Sequence, residues 1–575
     1  MSAFDGRLGV SPAAAGYQFS VWAPNAKSVA LTGDFNDWTA MPMTATEQGI
    51  WWCQCDAAQN EQQYQFVVED ANGSQLHKND PRARYLTNSS GNSIIYDDNF
   101  IWQTESFTPA PIHQQVIYEL HIGTFGKHAQ QIGTFDLAIK RLDTLKDLGI
   151  NMIELMPVYE FAGDQSWGYN PAYPFAIEEA YGGPDGLKRF IDAAHQRGMG
   201  VILDVVYNHL GPGDLDMWQF DGWNENDKGG IYFYNDERSN TPWGDTRPDY
   251  GRAEVRQYFI DNARMWLSEF RADGLRLDMV PYMRTISGLD DGSDTIPEAY
   301  TLIQQITQVV ADEFNHKITI AEDLHSHHFI TDGLPDGCGF TAQWDAGFVH
   351  PVRGALLASA DSDIDLACIK DAISSTYSER PFSRVIYTES HDEVANGSAR
   401  LVEEVAPGNV DDDFFAHNKA VVAAALVLTA CGIPMLFQGQ EFKQHGWFSD
   451  DHDIDWPRRE KFKDIVAAFS SLVALRTNAH GGSAGLTGAV TEFVHEDHTH
   501  KVIGFKRTTE NNEQPVWVYL NLANSEANAY QLEGLPETPQ CLFAWQHEDI
   551  TADFSLHNNQ ITLRPYSILI FSQQQ

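Results

Sequence analysis

The chain has 575 residues with 80 Asp and Glu against 38 Lys and Arg, a formal net charge of -42, and 43% of its residues are hydrophobic. This length is too great for one ordinary hydrophobic core and predicts about three or four domains. So acidic a surface repels phosphate backbones and argues against nucleic acid as a partner, whereas a neutral polymer meets no such repulsion.

Several features of the sequence bear on its compartment and cofactors. No run approaches the roughly 18 apolar residues of a membrane span, and the first residues lack the basic segment and apolar run of a signal peptide. The six cysteines are scattered without metal-ligand spacing, and reduced thiols account for them most simply. No spacing typical of a calcium loop is present. We therefore expect a cytoplasmic protein with no membrane partner, no metal and no cofactor; the sequence carries no signal for the oligomeric state.

The two ends of the chain share one kind of pattern. Residues 1–110 contain short runs that alternate apolar and polar side chains, such as 63–68, between turn residues, and they predict a small β-sandwich. Residues 481–575 return to short strands, such as 516–520, and predict a second β-sandwich.

Residues 111–480 alternate buried-type strands with amphipathic helices, which is typical of an α/β fold. Eight strands with intervening helices fit a closed (β/α)8 TIM barrel, although a doubly wound open sheet would show a similar alternation. Helical periodicity is clearest at 135–148, 186–196, 253–270 and 461–475. The eight candidate strands are 116–122, 150–157, 200–207, 273–279, 318–323, 341–345, 384–390 and 433–438.

Four of these predicted strands end in polar side chains, and barrel enzymes place their catalytic groups at the carboxyl ends of strands. A single carboxylate at a strand end is most often a helix cap or a surface salt bridge. Four such ends in one barrel concentrate like charge in a way that stability does not require and acid/base chemistry uses. The groups are Asp204 and His209 of the third strand, Arg276 and Asp278 of the fourth, Glu322 and Asp323 of the fifth, and the segment 389–393 of the seventh.

These residue types match the needs of glycoside hydrolysis, in which two carboxyl groups flank the scissile bond. One attacks the anomeric carbon, or supports a water that does, and the other gives a proton to the leaving oxygen. A third carboxylate raises the pKa of the acid, and an arginine keeps the nucleophile ionised. Arg276 and Asp278 are two residues apart and so face one side of their strand.

In this order, the four segments resemble the four conserved regions of the α-amylase superfamily, glycoside hydrolase family 13. The resemblance implies Asp278 as nucleophile, Glu322 as general acid/base and Asp392 as the third carboxylate. It further implies that Arg276 orients Asp278. Three more residues would line the −1 subsite: Asp204, His209 and His391.

Two further segments extend the resemblance. Ser166–Pro171 is similar to the loop whose tyrosine stacks on the −1 sugar, which implies that role for Tyr169, with a loop-packing aromatic as the alternative. The segment 341–345 is similar to the sixth-strand segment whose aromatic residue touches bound glucan, which implies that role for Trp344, with core packing as the alternative.

The first region has a resemblance of its own. The segments 21–25 and 33–38 resemble carbohydrate-binding module family 48, which precedes branching enzymes, debranching enzymes and trehalohydrolases. Trp38 is then either a platform for glucan or part of the structural signature of the module.

Members of the family share one double displacement and differ in what attacks the glycosyl-enzyme. The segment 387–394 is similar to 1,4-α-glucan branching enzymes, whereas 241–245 and 343–345 are closer to maltooligosyltrehalose trehalohydrolases. We favour a branching enzyme, then an α-amylase-type hydrolase of α-1,4-glucans, then a trehalohydrolase. A catalytically silent glucan-binding protein usually lacks the nucleophile or the acid, and both are present here. The expected partner is an α-glucan polysaccharide or a maltooligosaccharide.

Overall fold

The computed structural model describes residues 4–127, 131–289, 291–377, 380–546, 549–550 and 560–574. Eight parallel strands close into a barrel, between a β-rich domain before it and a β-rich domain after it. The predicted fold class is confirmed. No helix in the described ranges is both long and apolar enough to cross a bilayer.

The first domain consists of two antiparallel sheets around an apolar core. Strand Gln63–Glu69 shows why: Tyr64, Phe66 and Val68 point inward and are buried, while the side chains between them are half-buried. One sheet has the order Gly9–Pro12, Tyr17–Trp22, Ile50–Cys55, Thr44–Ala45, and the other has the order Met41–Pro42, Ser28–Gly33, Gln63–Glu69, Ser93–Ile94, Tyr85–Leu86, with Gln75–Lys78 beside Gln63–Glu69.

Strand Tyr17–Trp22 is buried on both faces, because the first domain packs against the barrel as well as on itself. The Trp22 ring meets the Tyr232 ring edge-on, with 5.5 Å between centroids. Asn25 adds a polar contact, since its backbone N–H and its side-chain amide donate to the same oxygen of Asp221 at 2.9 and 3.0 Å.

The barrel closes where its first strand pairs with its last, in the register Ile117↔Met435 to Glu119↔Phe437. This pairing excludes the open sheet that the alternation alone had allowed. Each observed strand lies within a predicted one and is one to four residues shorter at the carboxyl end, where the chain turns to form the site. In barrel order the strands are Ile117–Leu120, Met152–Leu155, Gly200–Val205, Gly274–Leu277, Ile318–Ala321, Ala342–Trp344, Arg384–Ile386 and Ile433–Phe437.

The inside of the barrel changes character along its axis. A buried apolar cluster includes Ile117, Met152 and Ile202 of the first three strands. Two residues further toward the carboxyl ends, the same strands carry Glu119, Glu154 and Asp204, all buried. The site therefore stands on an acidic layer above an apolar one.

Two predicted helices are interrupted in the structure. Residues 135–148 form Phe135–Ile139 and Leu142–Leu148, and residues 253–270 form Ala253–Arg264 followed by a π-helical turn, Met265–Glu269. The remaining helices are Ile122–Phe125, Gly183–Gln196, Val280–Arg284, Pro297–Glu313, Ala346–Leu357, Leu366–Ser374, Leu401–Val405, Phe414–Thr429, Arg458–Lys461 and Lys463–Arg476.

The last domain has one six-stranded and one two-stranded antiparallel sheet among the described residues. Its large sheet carries buried side chains on both faces of Val516–Asn521, a central strand. In spatial order that sheet is Val490–Asp497, Val502–Thr508, Val516–Asn521, Ile568–Gln573, Pro539–Gln546, Asp549–Ile550, and the small one pairs Ala527–Gln531 with Gln560–Leu563.

A buried arginine joins this domain to the barrel. Arg507 is fully buried, and its guanidinium donates to the carbonyl of Thr429, at the end of a barrel helix, at 2.6 Å. It also donates to the carbonyls of Leu486 and Gly488. One side chain thus satisfies three backbone acceptors that are shielded from water.

Replacing Arg507 by alanine should lower the free energy of unfolding by at least about 3 kcal/mol, because each buried carbonyl left without a donor costs about 1–3 kcal/mol. Urea denaturation followed by tryptophan fluorescence measures this change. Arg7→Ala, at an exposed arginine, is the control and should have little effect. Equal unfolding midpoints for Arg507→Ala and the wild type would contradict the role given to Arg507.

Candidate active site

Asp278 and Glu322 follow directly after the fourth and fifth barrel strands and are both buried. The Asp278 N–H donates to the Val205 carbonyl at 3.0 Å, and the Glu322 N–H donates to the Leu277 carbonyl at 3.0 Å. Both bonds continue the ladder of the barrel by one residue. The two carboxyl groups are therefore fixed by the sheet rather than by a loop.

Arg276 lies between the acidic groups and is itself fully buried. Its Nη1 is 2.6 Å from Asp204 Oδ2 and 3.1 Å from Asp278 Oδ1. Its Nη2 is 2.8 Å from Glu322 Oε2. One guanidinium faces three carboxyl groups, so the cluster carries excess negative charge, which favours a proton on one of the carboxyl groups.

Burial raises the pKa of both central carboxyl groups, but to different extents. For Asp278, Arg276 and a hydrogen bond from Asn208 oppose burial, and the pKa rises to about 6. For Glu322, burial outweighs Arg276, the charges of Asp278 and Asp392 add to it, and the pKa rises to about 8. At neutral pH the ionised form is thus favoured at Asp278 and the protonated form at Glu322.

Hydrogen bonds distinguish the two groups further. Asp278 is bonded on both oxygens, by Arg276 on Oδ1 and by the Asn208 amide on Oδ2 at 2.8 Å, as suits a carboxylate. Glu322 makes its contacts through Oε2 alone: this oxygen lies next to Arg276 and accepts a hydrogen bond from the Met279 N–H at 2.8 Å. Met279 takes a left-handed backbone conformation, φ 39°, to direct that N–H. None of the described residues bonds Oε1 of Glu322, which leaves that oxygen to carry the proton.

His391 is held between two acids. Its Nδ1 lies 2.5 Å from Glu119 Oε1, its backbone N–H donates to Glu119 Oε2 at 3.1 Å, and its Nε2 lies 3.4 Å from Asp392 Oδ2. Burial alone would lower the pKa of His391, but Asp392 and Glu119 raise it to about 10, so the ring is an imidazolium at neutral pH. The Asp392 side chain is 46% exposed and stands at the mouth.

Tyr169 adds an aromatic face to this group. Its hydroxyl donates to Asp204 Oδ2 at 2.6 Å, and its ring stacks on that of His391 with 4.9 Å between centroids. Tyr169 is half-buried, so part of it faces the opening. Asp204 accepts from both Tyr169 and Arg276 and so joins the two halves of the site.

His209 is placed behind the acids rather than among them. Its Nε2 lies 2.9 Å from the Tyr169 carbonyl and its Nδ1 lies 2.5 Å from the Asn208 side-chain oxygen. Its ring stacks on the half-exposed ring of Trp243 at 4.5 Å. Burial lowers the pKa of His209 to about 4, so it is neutral. Its direct effect is to orient Asn208, and through it Asp278.

The expectation that Trp344 touches bound glucan is not supported by its position. Trp344 is 1% exposed, and its ring lies 4.3 Å from Cζ of Arg276 and 5.1 Å from the ring of Tyr387. The sixth strand ends at Trp344, so the ring points into the barrel beneath the guanidinium. It stabilises the buried cation by a cation–π contact.

Glu119, Glu154 and Asn208 belong to the site but were not among the predicted site residues. The first two were visible as single acids within apolar strands, Ile117–Leu120 and Met152–Leu155. Neither carboxyl oxygen of Glu154 has a hydrogen-bond partner in the described part of the chain. Burial, with the charge of Glu119, holds the pKa of Glu154 well above its usual range, so it is neutral.

The described residues of this site do not form a group of metal ligands. Among the described residues, no three or more His, Cys, Asp or Glu are grouped so that they could hold an ion. Asn208, at the end of the third strand, directs its amide nitrogen to Asp278 and its oxygen to His209.

Comparison with known proteins agrees with this geometry. Residues 7–83 match the family described as carbohydrate-binding module 48 (isoamylase N-terminal domain), and residues 95–215 and 212–530 match the alpha amylase catalytic domain. The chain is 30% identical to the 1,4-alpha-glucan branching enzyme GlgB of Oleidesulfovibrio alaskensis, over 88% of this chain and 82% of that protein. It is 32% identical to the malto-oligosyltrehalose trehalohydrolase of Saccharolobus solfataricus, over 76% of each chain.

A solved structure shares the fold. Pullulanase type I from Bacillus subtilis, complexed with maltose, superposes with a TM-score of 0.78 at 21% identity, covering 100% of this chain and 86% of that one. The catalytic-domain match spans most of the chain and includes every strand of the barrel. This chain belongs to the α-amylase family of glycosidases and transglycosylases, glycoside hydrolase family 13.

Proposed function

We propose that this protein is a 1,4-α-glucan branching enzyme: it cleaves α-1,4-glucosidic bonds of a starch- or glycogen-type glucan with retention and transfers the released chain to form α-1,6 branches. The observation that carries the catalytic part is the pair Asp278 and Glu322 on one guanidinium, with the lower pKa at Asp278. Six thiols without a disulfide support a cytoplasmic location.

In the first half of the reaction, a carboxylate oxygen of Asp278 attacks the anomeric carbon as the glycosidic bond breaks. Glu322 gives the proton on Oε1 to the leaving oxygen, and the shorter glucan departs with a free hydroxyl. The product is a glycosyl ester of Asp278. As Asp278 loses its negative charge, Arg276 keeps two acidic neighbours, Asp204 and the newly ionised Glu322.

In the second half, Glu322 is a carboxylate and takes the proton of the incoming hydroxyl. That oxygen attacks the anomeric carbon from the face that the leaving group vacated, and Asp278 is released. Two inversions give net retention. A 6-hydroxyl of a glucan as acceptor gives a branch, whereas water gives hydrolysis.

The remaining groups have roles in holding the sugar next to these carboxyl groups. Asp392 presents an acceptor, and the imidazolium of His391 presents a donor at Nε2, for sugar hydroxyls at the mouth. Tyr169 offers its ring face, backed by the ring of His391. Asp204 bonds to Tyr169, and His209 bonds to Asn208, so these two side chains are directed at neighbouring residues and not at the opening. We therefore assign Asp204 and His209 to orienting Tyr169 and Asn208.

The choice of transfer rests on the resemblance to branching enzymes, which extends through the first domain. One observation favours a second candidate, a malto-oligosyltrehalose trehalohydrolase. The relative with that name is 32% identical, and the segment 241–245, which resembles such enzymes, places Trp243 against His209 at the site. In that case water is the acceptor and trehalose is a product.

Glu322→Gln should reduce kcat/KM on amylose by about 10²–10⁴-fold, because proton transfer to the leaving oxygen is lost. With α-maltosyl fluoride, whose leaving group needs no proton, glycosylation should be far less affected. In the wild type, kcat/KM on amylose should fall as pH rises through about 8, where Glu322 ionises, and this decrease at alkaline pH should be absent in Glu322→Gln. Glu441→Gln, at another buried glutamate, is the control and should show the same alkaline decrease as the wild type. An unchanged alkaline limb in Glu322→Gln would show that another group is the acid.

Glu119→Gln should lower the pKa of His391 from about 10, since burial then opposes a single carboxylate, that of Asp392. The titration is followed by NMR of histidine-labelled protein, with the resonance assigned from its loss in His391→Gln. Glu441→Gln, whose carboxyl bonds Tyr118 and not His391, is again the control. A His391 titration that is the same in Glu119→Gln and the wild type would refute the assignment of Glu119.

The acceptor is identified by incubating the enzyme with amylose and measuring reducing ends and α-1,6 linkages separately, with Asp278→Asn as the inactive reference. We expect new α-1,6 linkages with few new reducing ends. Reducing ends without new linkages would replace branching by hydrolysis, and release of trehalose from maltooligosyl-trehalose would select the second candidate. If wild type and Asp278→Asn were equally inert on all of these glucans, the catalytic proposal would fail.

A further inference from the structure

A cleft of about 440 Å³ lies where the outer helices of the barrel meet the last domain. This volume is within the range of about 300–1,000 Å³ that is usual for small-ligand sites. None of its lining residues belongs to the active site described above. The side chains that matter here are Asp361, Glu404, Phe415 and Lys419 of the barrel and Asn524 and Tyr566 of the last domain.

Lys419 lines this flank cleft, where its ammonium group has two ring contacts but no hydrogen bond or ion pair with a described residue. The residue is only 8% exposed, yet its Nζ donates no hydrogen bond and forms no ion pair with any described residue. Its nearest ring contacts are Tyr566 at 5.5 Å and Phe415 at 5.9 Å. Burial lowers its pKa, although Asp361 and Asp413 oppose this. A donor that lines a cleft and gives no hydrogen bond to a described residue is available to a ligand or a water that accepts from it.

Tyr566 gives a second donor of the same kind. It is 2% exposed, and its hydroxyl bonds to no residue in the described ranges. Tyr566 holds a left-handed backbone conformation, φ 53°, at the turn before the strand Ile568–Gln573. That conformation is uncommon for a large side chain and fixes the direction of the ring.

Acceptors and an apolar face complete the cleft. Asp361 accepts the Asn524 N–H on both oxygens, at 3.2 and 3.1 Å, which ties the barrel to the last domain across the cleft. Glu404 is a further carboxylate of the lining. Phe415 is 38% exposed and meets the Tyr566 ring edge-on at 6.0 Å, so part of the phenyl ring is accessible in the cleft.

The chemistry of the lining restricts the ligand. An anion would meet Lys419 but also the carboxylate of Asp361 and that of Glu404, which is paired with Arg353, on a chain of net charge -42. A bare cation would meet the ammonium group. A group that both donates and accepts satisfies all of these side chains, and the hydroxyls of a sugar do so, while the C–H face of a pyranose packs on a partly exposed phenyl ring.

We propose that the flank cleft is a second binding site for α-glucan, outside the active site, which holds a segment of a long chain on the enzyme. The proposal takes its ligand class from the proposed function but does not depend on whether the enzyme transfers or hydrolyses. Phe415 would be the stacking platform, Lys419 and Tyr566 the donors, and Asp361 an acceptor.

Native electrophoresis in gels that contain amylopectin tests the proposal with full-length protein. Phe415→Ala and Lys419→Met should each weaken retention by roughly three- to tenfold, the usual effect of one stacking or hydrogen-bonding side chain. Tyr566→Phe removes only an oxygen, so it keeps the packing if the other variants are unstable, and it should weaken retention in the same direction. Thermal unfolding of each variant checks that it is folded.

Two controls separate this site from others. Trp38→Ala removes an exposed aromatic residue of the first domain, and turnover of maltoheptaose reports the active site independently. Folded Phe415→Ala and Tyr566→Phe proteins with the retention of the wild type would overturn the proposal, as would loss of all retention in Trp38→Ala. Binding of inorganic phosphate that Lys419→Met abolishes, without an effect on amylopectin, would identify an anion site instead. Absence of turnover on any glucan by the wild type would count against the proposed function, not against the flank cleft.

Discussion

The buried guanidinium of Arg276 is the group on which the arrangement of the site depends. It contacts Asp204, Asp278 and Glu322 at once and lies on the ring of Trp344, with no access to solvent. A buried cation needs acids or backbone acceptors around it, and buried acids need a cation or a proton to compensate their charge. With one cation for three acids, a proton reduces the excess negative charge, and the pKa of about 8 places it on Glu322, whose Oε1 accepts no hydrogen bond from a described residue.

A second charged group also places one cation between acids. His391 lies between Glu119 and Asp392, which hold it as an imidazolium. The two groups meet at Tyr169, which bonds to Asp204 and stacks on His391. Positive charge is thus fixed on both sides of the space next to Asp278, where negative charge is lost when the glycosyl ester forms. Such preorganised charge requires no rearrangement during the reaction.

Both the active site and the flank cleft depend on contacts between parts of the chain that are distant in sequence. Asn524 and Tyr566 of the last domain complete a cleft that begins with Asp361 and Lys419 of the barrel. Arg507 holds the same two domains together from a fully buried position. A long, neutral glucan can contact such an acidic surface at several places without electrostatic cost, because it carries no charge to be repelled.

The sequence by itself determined eight strands that alternate with helices and the strand ends that carry Asp278, Glu322, Arg276 and His391, because hydrophobic periodicity and polar strand ends are local patterns. It did not determine the partners of these residues. Glu119 is 272 positions from His391, and Trp344 lies beneath Arg276 rather than at the mouth, since the sixth strand ends there with its side chain inward. Only the tertiary structure decided these contacts, together with the pKa order of Asp278 and Glu322, because burial and charge depend on what the closed barrel brings around each carboxyl group.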